Sequence, residues 1–220
     1  LCGEISVNLE QSSAVRLPSL KTLQLDISNA DVNSIDILLS ACPIIETLKL
    51  SFSTESFAKL RVPSSLKSFK FTVENDIEAC LEIDTPGLKY LSLTNITHGD
   101  ATFIRNLLNV EEAYLDVFSA TASESFDPDA TPQLYNYPAK PESVPDCLIS
   151  HLTFIHFKGY QGNSCEMEFA SYVLRYGIVL KTLLISGFLS DKRHRYDKYR
   201  LRREFSNMPR CSTVCQVKLD

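Results

Sequence analysis

The amino-acid sequence predicts an α/β solenoid, a right-handed coil of short parallel strands with helices or extended segments on its convex side. Three observations point there. First, a triplet of the form Leu-x-x-Leu-x-Leu recurs: Leu20/Leu23/Leu25, Ile45/Leu48/Leu50, Leu66/Phe69/Phe71 and Leu88/Leu91/Leu93. Weaker copies stand at Val110/Ala113/Leu115, Leu152/Ile155/Phe157 and Leu180/Leu183/Ile185. Second, successive triplets start 25, 21, 22, 22, 42 and 28 residues apart. All but one of these intervals fall in the period of leucine-rich repeats, roughly 20–29 residues. Third, 220 residues with 44% hydrophobic and 22% charged content can supply a sizeable core. A repeat of this kind cannot bury its apolar face alone, so neighbours stack and leave an extended surface for recognition.

Each element follows from local chemistry. Within a triplet the apolar residues face the core and those between them face out, as strand alternation requires. After the first triplet, Asp31 is placed to cap a helix over Val32–Ala41, with Ile35, Leu38 and Leu39 at helical spacing and Pro43 stopping it. Later units carry extended runs, Phe57–Val62 before Pro63 and Cys80–Ile83 before Pro86, because a residue preceding proline is biased away from helix. Residues 119–146 hold five of the ten prolines (Pro128, Pro132, Pro138, Pro141, Pro145) and no apolar period, so they read as a long loop or linker. Repeats thus fill residues 1–118, and a terminal capping module fills 147–220.

That module is expected to run strand, helix, strand, helix, strand. Alternation over His151–Lys158 groups Leu152, Phe154 and Phe157 as apolar, whereas the triplet frame turns Phe154 and His156 outward. A turn at Lys158–Gly162 follows. Ser164 then caps a helix through Tyr176, with Gly177 as its C-terminal glycine. Leu180–Ser186 is a strand, Asp191–Ser206 a basic helix and Thr213–Leu219 the last strand.

Composition excludes several roles. No apolar stretch approaches the ~20 residues of a membrane helix, and the opening LCGEISVNLE lacks the basic and apolar regions of a signal peptide. It also lacks an initiator Met and opens within a strand-like alternation at residues 4–9, so the chain is expected to be part of a longer protein. Seven scattered cysteines, an odd number, suit thiols in a reducing compartment, cytoplasm or nucleus. The isolated triplet Asn95-Ile96-Thr97 carries little weight as a glycosylation site in that setting. Net charge is −5, yet residues 191–210 hold eight Lys/Arg against three Asp/Glu. An acidic body with one basic segment argues against a nucleic-acid surface over the whole molecule.

Catalytic signatures are missing: there is no Gly-rich phosphate loop, no G-x-S-x-G and no H-E-x-x-H. The four histidines (His98, His151, His156, His194) have no motif company, and the acid pairs Asp127/Asp129 and Glu111/Glu112 fall in a polar loop and a turn. Cys147-x3-His151 and Cys211-x3-Cys215 could bring four soft ligands together, but the spacing is not that of a C-x2-C knuckle. Separate buried thiols and a surface imidazole are the expectation. So neither a catalytic residue nor a metal or cofactor is expected. The basic segment, with Arg202, Arg203, Tyr196 and Tyr199, reads as a solvated helix face with Leu201 and Phe205 inward. What remains is partner binding. In the outward columns Tyr90, Tyr114, Phe154 and His156 fall in three successive units, and exposed aromatics are favoured anchors at interfaces.

The run PDCLISHLTFIHFKGYQG from Pro145 to Gly162 resembles the FBD domain of plant F-box proteins. Glu166-Met167-Glu168, Tyr172-Val173-Leu174, Val179-Leu180-Lys181 and the ending Pro209–Val217 continue the likeness. Upstream, Leu17–Leu23, Leu39–Glu46 and Asp84–Leu91 are similar to the leucine-rich repeats that precede that domain. The resemblance implies an FBD module over 147–220 and a substrate-recognition part of a Skp–cullin–F-box ubiquitin ligase adaptor. It further implies a protein substrate held on a concave strand face. A Skp-type adaptor would be bound only through an F-box, and no segment of this chain resembles one. Two other readings stand beside it: a small-molecule-assisted receptor with a concave pocket, and a truncated interaction module with no ligase role.

Overall fold

The computed structural model describes residues 16–27, 32–52, 60–73, 81–83, 85–96, 107–117, 144–160, 164–187 and 194–220. The opening alternation, Asp31, His98, the pair Asp127/Asp129 and the proline-rich stretch as far as residue 143 lie outside these residues, as do the side chains of Asn95, Ser164 and Tyr196.

In chain order the elements are β1 (Thr22–Ile27), α1 (Val32–Ser40), β2 (Thr47–Phe52), β3 (Leu60–Arg61), β4 (Ser68–Val73), β5 (Leu81–Glu82), β6 (Tyr90–Ile96), β7 (Glu112–Val117), α2 (Asp146–Ser150), β8 (Phe154–Lys158), α3 (Ser164–Tyr176), β9 (Thr182–Ile185), α4 (His194–Asn207) and β10 (Gln216–Leu219). One eight-stranded sheet, all parallel, runs β1-β2-β4-β6-β7-β8-β9-β10, and β3 pairs with β5 beside it. This is the α/β leucine-rich-repeat solenoid that the triplets predict. Pairing continues from β7 to β8 across the long interval, so the terminal strands extend the same sheet.

Register puts the triplets in columns. Leu48, Phe69, Leu91, Ala113, Ile155 and Leu183 form one, and Leu50, Phe71, Leu93, Leu115, Phe157 and Ile185 the next. All twelve are buried. The end strands contribute Leu23, Leu25, Val217 and Leu219, which are only half-buried because each end strand has a single neighbour among the described residues. Burying such columns is the main favourable term, at roughly 1.5–3 kcal/mol per large apolar side chain.

The first residue of a triplet closes a turn before its strand: the amides of Leu20, Ile45, Leu66 and Leu88 donate to the carbonyls of Leu17, Cys42, Pro63 and Thr85. Polar side chains then fasten one turn to the preceding unit. Ser65 Oγ donates to the Ile45 carbonyl (2.7 Å), Thr85 Oγ1 to Pro63 (3.4 Å) and Ser212 Oγ to Leu180 (2.7 Å). Asn109 Nδ2 and Thr153 Oγ1 do the same to Pro86 and Glu111. Thr85 and Ser212 are buried and their hydroxyls satisfied, as burial demands.

α1 buries Ile35 and Leu39, as its spacing predicts, and α4 buries Leu201 and Phe205 while Arg202 and Arg203 stay exposed. Three expectations need correction here. His151 does not begin a strand; it ends the short helix α2, whose Cys147 and Leu148 are buried, and β8 starts at Phe154. In β8 the inward residues are Ile155 and Phe157, so Phe154 leaves the apolar set and faces out beside His156. The last strand is shorter than Thr213–Leu219, because Ser212–Cys215 forms the turn that precedes it. Gly177 directly follows the last residue of α3, as its C-terminal glycine should, and it does so without a positive φ. A Cβ there would lie 2.6 Å from the Val173 carbonyl oxygen, which accepts the Gly177 amide. Among the described residues the glycines at positive φ are Gly159 (75°) and Gly187 (99°), which follow β8 and β9 and touch: a Cβ on Gly187 would sit 2.5 Å from the Gly159 nitrogen.

Candidate functional site

The face of the sheet opposite the core carries the residues between the triplet positions. On β1, β2 and β4 these are short or polar: Thr22, Thr47 and Ser68 in one row, Gln24, Lys49 and Lys70 in the next. From β6 onward the character changes. Tyr90, Glu112 and Phe154 continue the first row, and Ser92, Tyr114 and His156 the second.

The four aromatic residues singled out in the sequence come together around Tyr114. Its ring centroid lies 5.1 Å from Tyr90, 5.3 Å from Phe154 and 6.0 Å from His156. The first two pairs are tilted by 36° and 43° and the last is edge-on at 72°. Tilted and edge-on arrangements suit the ring quadrupole. All four side chains are half-buried. Ser92, at an outward position, is only 7% exposed, and its cross-strand partner is Tyr114. A serine there leaves room for the larger ring beside it.

Polar groups hold the cluster in place. The Tyr114 hydroxyl donates to Glu112 Oε2 at 3.3 Å, and His156 Nε2 bonds Ser186 Oγ at 2.7 Å. Lys158 pairs with Asp116 at 2.7 Å just beyond. Burial, reinforced by the Glu112 carboxylate, holds the Tyr114 phenol above its ordinary pKa, so it stays neutral and can donate. Burial pushes the His156 imidazole down and Lys158 adds to this, with Asp116 and Asp220 acting the other way. The alternation of outward residues marks this cluster in the sequence. The same alternation turns Glu112 outward, whereas Ser186, which follows β9, escapes it.

A second row lies just before the strands and was not anticipated. Lys21 pairs with Glu46 (3.4 Å), Glu46 with Lys67 (3.2 Å) and Lys89 with Glu111 (2.8 Å). The lysines hold the Glu46 and Glu111 carboxyls below their ordinary range, chiefly through hydrogen bonds. Backbone bonds run along the same row, Glu46 to Lys21, Lys67 to Glu46, Lys89 to Lys67 and Glu111 to Lys89. These exposed pairs fix register more than they add stability. Glu112, expected on a turn with Glu111, is instead the first residue of β7.

Elsewhere the chemistry is sparse. Cys147 and Cys215 are buried and Cys211 is exposed. Among the described residues no group of three or more His, Cys, Asp or Glu is placed to hold a metal ion, and no helix is long and apolar enough to cross a membrane. On α4, Tyr199 projects into solvent and Arg200 pairs with Glu204 at 3.1 Å.

Comparison with known proteins matches both halves of this architecture. The FBD family profile matches residues 140–185. The profile described as "FBD-associated F-box protein At5g56370, LRR repeats" matches residues 2–111, half of the chain. F-box/FBD/LRR-repeat protein At4g26340 of Arabidopsis thaliana is 25% identical over 97% of this chain and 67% of its own length. F-box/FBD/LRR-repeat protein At1g78750 of the same plant is 36% identical over 56% of this chain and 28% of its own length. F-box/LRR-repeat protein 13, also from Arabidopsis thaliana, is 34% identical over 60% of this chain and 30% of its own length. The chain thus spans about two thirds of the relatives it matches end to end, and less than a third of the others. No solved structure matches it significantly. The stacked triplets that bury one face of the sheet are those of a known repeat set, and the chain belongs to the family of FBD-associated F-box/LRR-repeat proteins.

Proposed function

We propose that this chain is the non-catalytic substrate-recognition portion of an F-box-type adaptor of a Skp–cullin–F-box ubiquitin ligase. It binds a protein substrate through the outward strand face, with Tyr90, Tyr114, Phe154 and His156 as anchors. Repeats over 1–118 and an FBD module over 147–220 share that face, joined by the segment 119–146. The observation that carries the reading is the aromatic cluster across β6, β7 and β8, on the side of the sheet that faces away from the core. Such half-buried rings on a rigid repeat scaffold suit interface anchors. Family membership supports the ligase setting, where an F-box would dock on the Skp-type adaptor.

The test has two arms. Affinity capture from plant extract compares the unaltered chain with Tyr114→Ala, and proteins lost in the variant are candidate substrates. The chain is then fused to the F-box of a relative, and ubiquitination of the captured protein is assayed with the reconstituted ligase. Ubiquitination that needs Tyr114 is the expected outcome. Capture that ignores Tyr114 removes the face assignment, and a captured protein that is never modified removes the ligase role.

A further inference from the structure

The outward face is divided in charge. Lys49 and Lys70 are register partners on β2 and β4, and both are exposed. Further along, Glu112 stands in register between Tyr90 and Phe154, with Tyr114 two residues on in the same strand. The acids on either side of Glu112 have counter-ions, Lys89 for Glu111 at 2.8 Å and Lys158 for Asp116 at 2.7 Å. Glu112 has none among the described residues; its contact is the Tyr114 hydroxyl.

An exposed carboxylate among three aromatic rings defines what it would bind. Ring faces carry the negative lobe of the quadrupole and attract cations. The carboxylate attracts them too, and it repels phosphate, which disfavours nucleic acid. Between the two cationic side chains, a guanidinium is planar, stacks on rings and forks onto a carboxylate, whereas an ammonium is compact and more strongly hydrated. The body outside residues 191–210 is acidic, which adds to the preference for a basic partner.

We infer that the aromatic cluster on β6–β8 recognises an arginine side chain of the protein partner, its guanidinium lying against the rings and bonded to the Glu112 carboxylate. This rests on the reading that the partner docks on this face, and it names the chemistry of the contact. His156, its imidazole pushed down by burial beside Tyr114, adds little positive charge of its own, and the Lys158 ammonium next to it is paired with Asp116.

The experiment titrates the intact chain with the peptide acetyl-Gly-Gly-Arg-Gly-Gly-amide and with its citrulline twin, which keeps the shape and loses the charge. Ring resonances of Tyr90, Tyr114 and Phe154 are followed by NMR. The arginine peptide is expected to shift them, and the citrulline peptide to bind at least roughly tenfold more weakly, as loss of a partly desolvated cation–π contact and a charged hydrogen bond implies. Glu112→Gln, with its thermal transition retained, should weaken the arginine peptide by a similar factor. Lys49→Glu makes the face more acidic on β2, three strands and roughly 14 Å from Tyr114, and should change binding less than about twofold, since exposed charges beyond a Debye length are screened. Equal binding of the two peptides overturns the inference. So does no shift with either peptide, indifference to Glu112→Gln, a large gain with the Lys49 reversal, or an oligouridylate that shifts the same rings. If the peptides fail to differ while protein capture still needs Tyr114, the docking face stands and only the arginine assignment falls. If capture ignores Tyr114, the docking face itself falls.

Discussion

Tyr114 and Phe154 lie with ring centroids 5.3 Å apart, on adjacent strands, although the proline-rich segment separates them in sequence. Their contact joins β7, which directly follows the repeat-matching residues 2–111, to the first strand within the FBD-matching residues 140–185. Alanine at either position should abolish partner capture, each truncation costing about 2 kcal/mol or more of binding. The fold should survive, with each lost ring pair costing about 0.5–1.5 kcal/mol of stability. Reversing Arg202 and Arg203, which are exposed on α4, should leave capture unchanged. Isothermal titration and thermal melts of the four variants decide it; capture lost at the arginines in moderate salt would place the site on α4.

Strand parity gives a sharper contrast. Leu91 is fully buried and Tyr90, one residue earlier, is half-exposed on the opposite face. Leu91→Asp should unfold or aggregate the chain, because an unpaired buried charge costs several kcal/mol, on the order of a domain's whole margin. Tyr90→Asp should keep a cooperative melt. Equal loss of the transition in both would mean the strand phase is misassigned.

Three glycines should respond to alanine in a graded way. Gly187 combines φ of 99° with the approach to Gly159, so Gly187→Ala should cost roughly 1–3 kcal/mol or more. Gly177 lies at an ordinary φ but abuts the Val173 carbonyl, and Gly177→Ala should destabilise through that contact. Gly87 has only an ordinary contact at 3.5 Å, so Gly87→Ala should be neutral or stabilise by a few tenths of a kcal/mol. Urea midpoints would order them, and a harmless Gly187→Ala would contradict the described crossing.

His156 should titrate below its ordinary value of about 6.5. The groups around it are Tyr114 and Asp116 on β7, Lys158 on its own strand, Ser186 after β9 and Asp220 after β10. Because the folded pKa is depressed, the unfolded chain takes up the proton first. Stability from this group is therefore complete above about pH 6.5 and is lost as the pH falls through the folded pKa. NMR titration of the imidazole should show a midpoint that rises in Lys158→Met, which removes a repelling cation and frees Asp116. A midpoint above 6.5 in the unaltered chain would contradict this.

Much of this was legible in the residues because burial has a period. Leu48, Phe69 and Leu91 recur in one frame, and the same frame places Tyr90, Tyr114 and Phe154 outside, so one pattern fixes both core and candidate site. Local alternation alone misled at β8, where Phe154 counts as apolar by type and is turned out by register. The helix α2 was missed because five residues carry less than two turns of period. The row Lys21, Glu46, Lys67, Lys89, Glu111 also went unread, since its regularity lies across repeats. Gly177 was legible as the glycine that ends α3, but only the position of the Val173 carbonyl reveals that the site also lacks room for a Cβ.

The side chains that fasten the turns all reach the same way. Ser65, Thr85, Asn109, Thr153 and Ser212 each donate to a carbonyl of the unit before their own. The array therefore has a direction in which it can grow. A newly synthesised repeat meets acceptors that are already in place, so assembly can follow the ribosome from the N-terminal side. For these fasteners alone, removing a unit from the C-terminal end leaves a carbonyl oxygen without its donor, whereas removing one from the front leaves a side-chain donor without its carbonyl. In its side-chain fastenings the solenoid is a one-way stack.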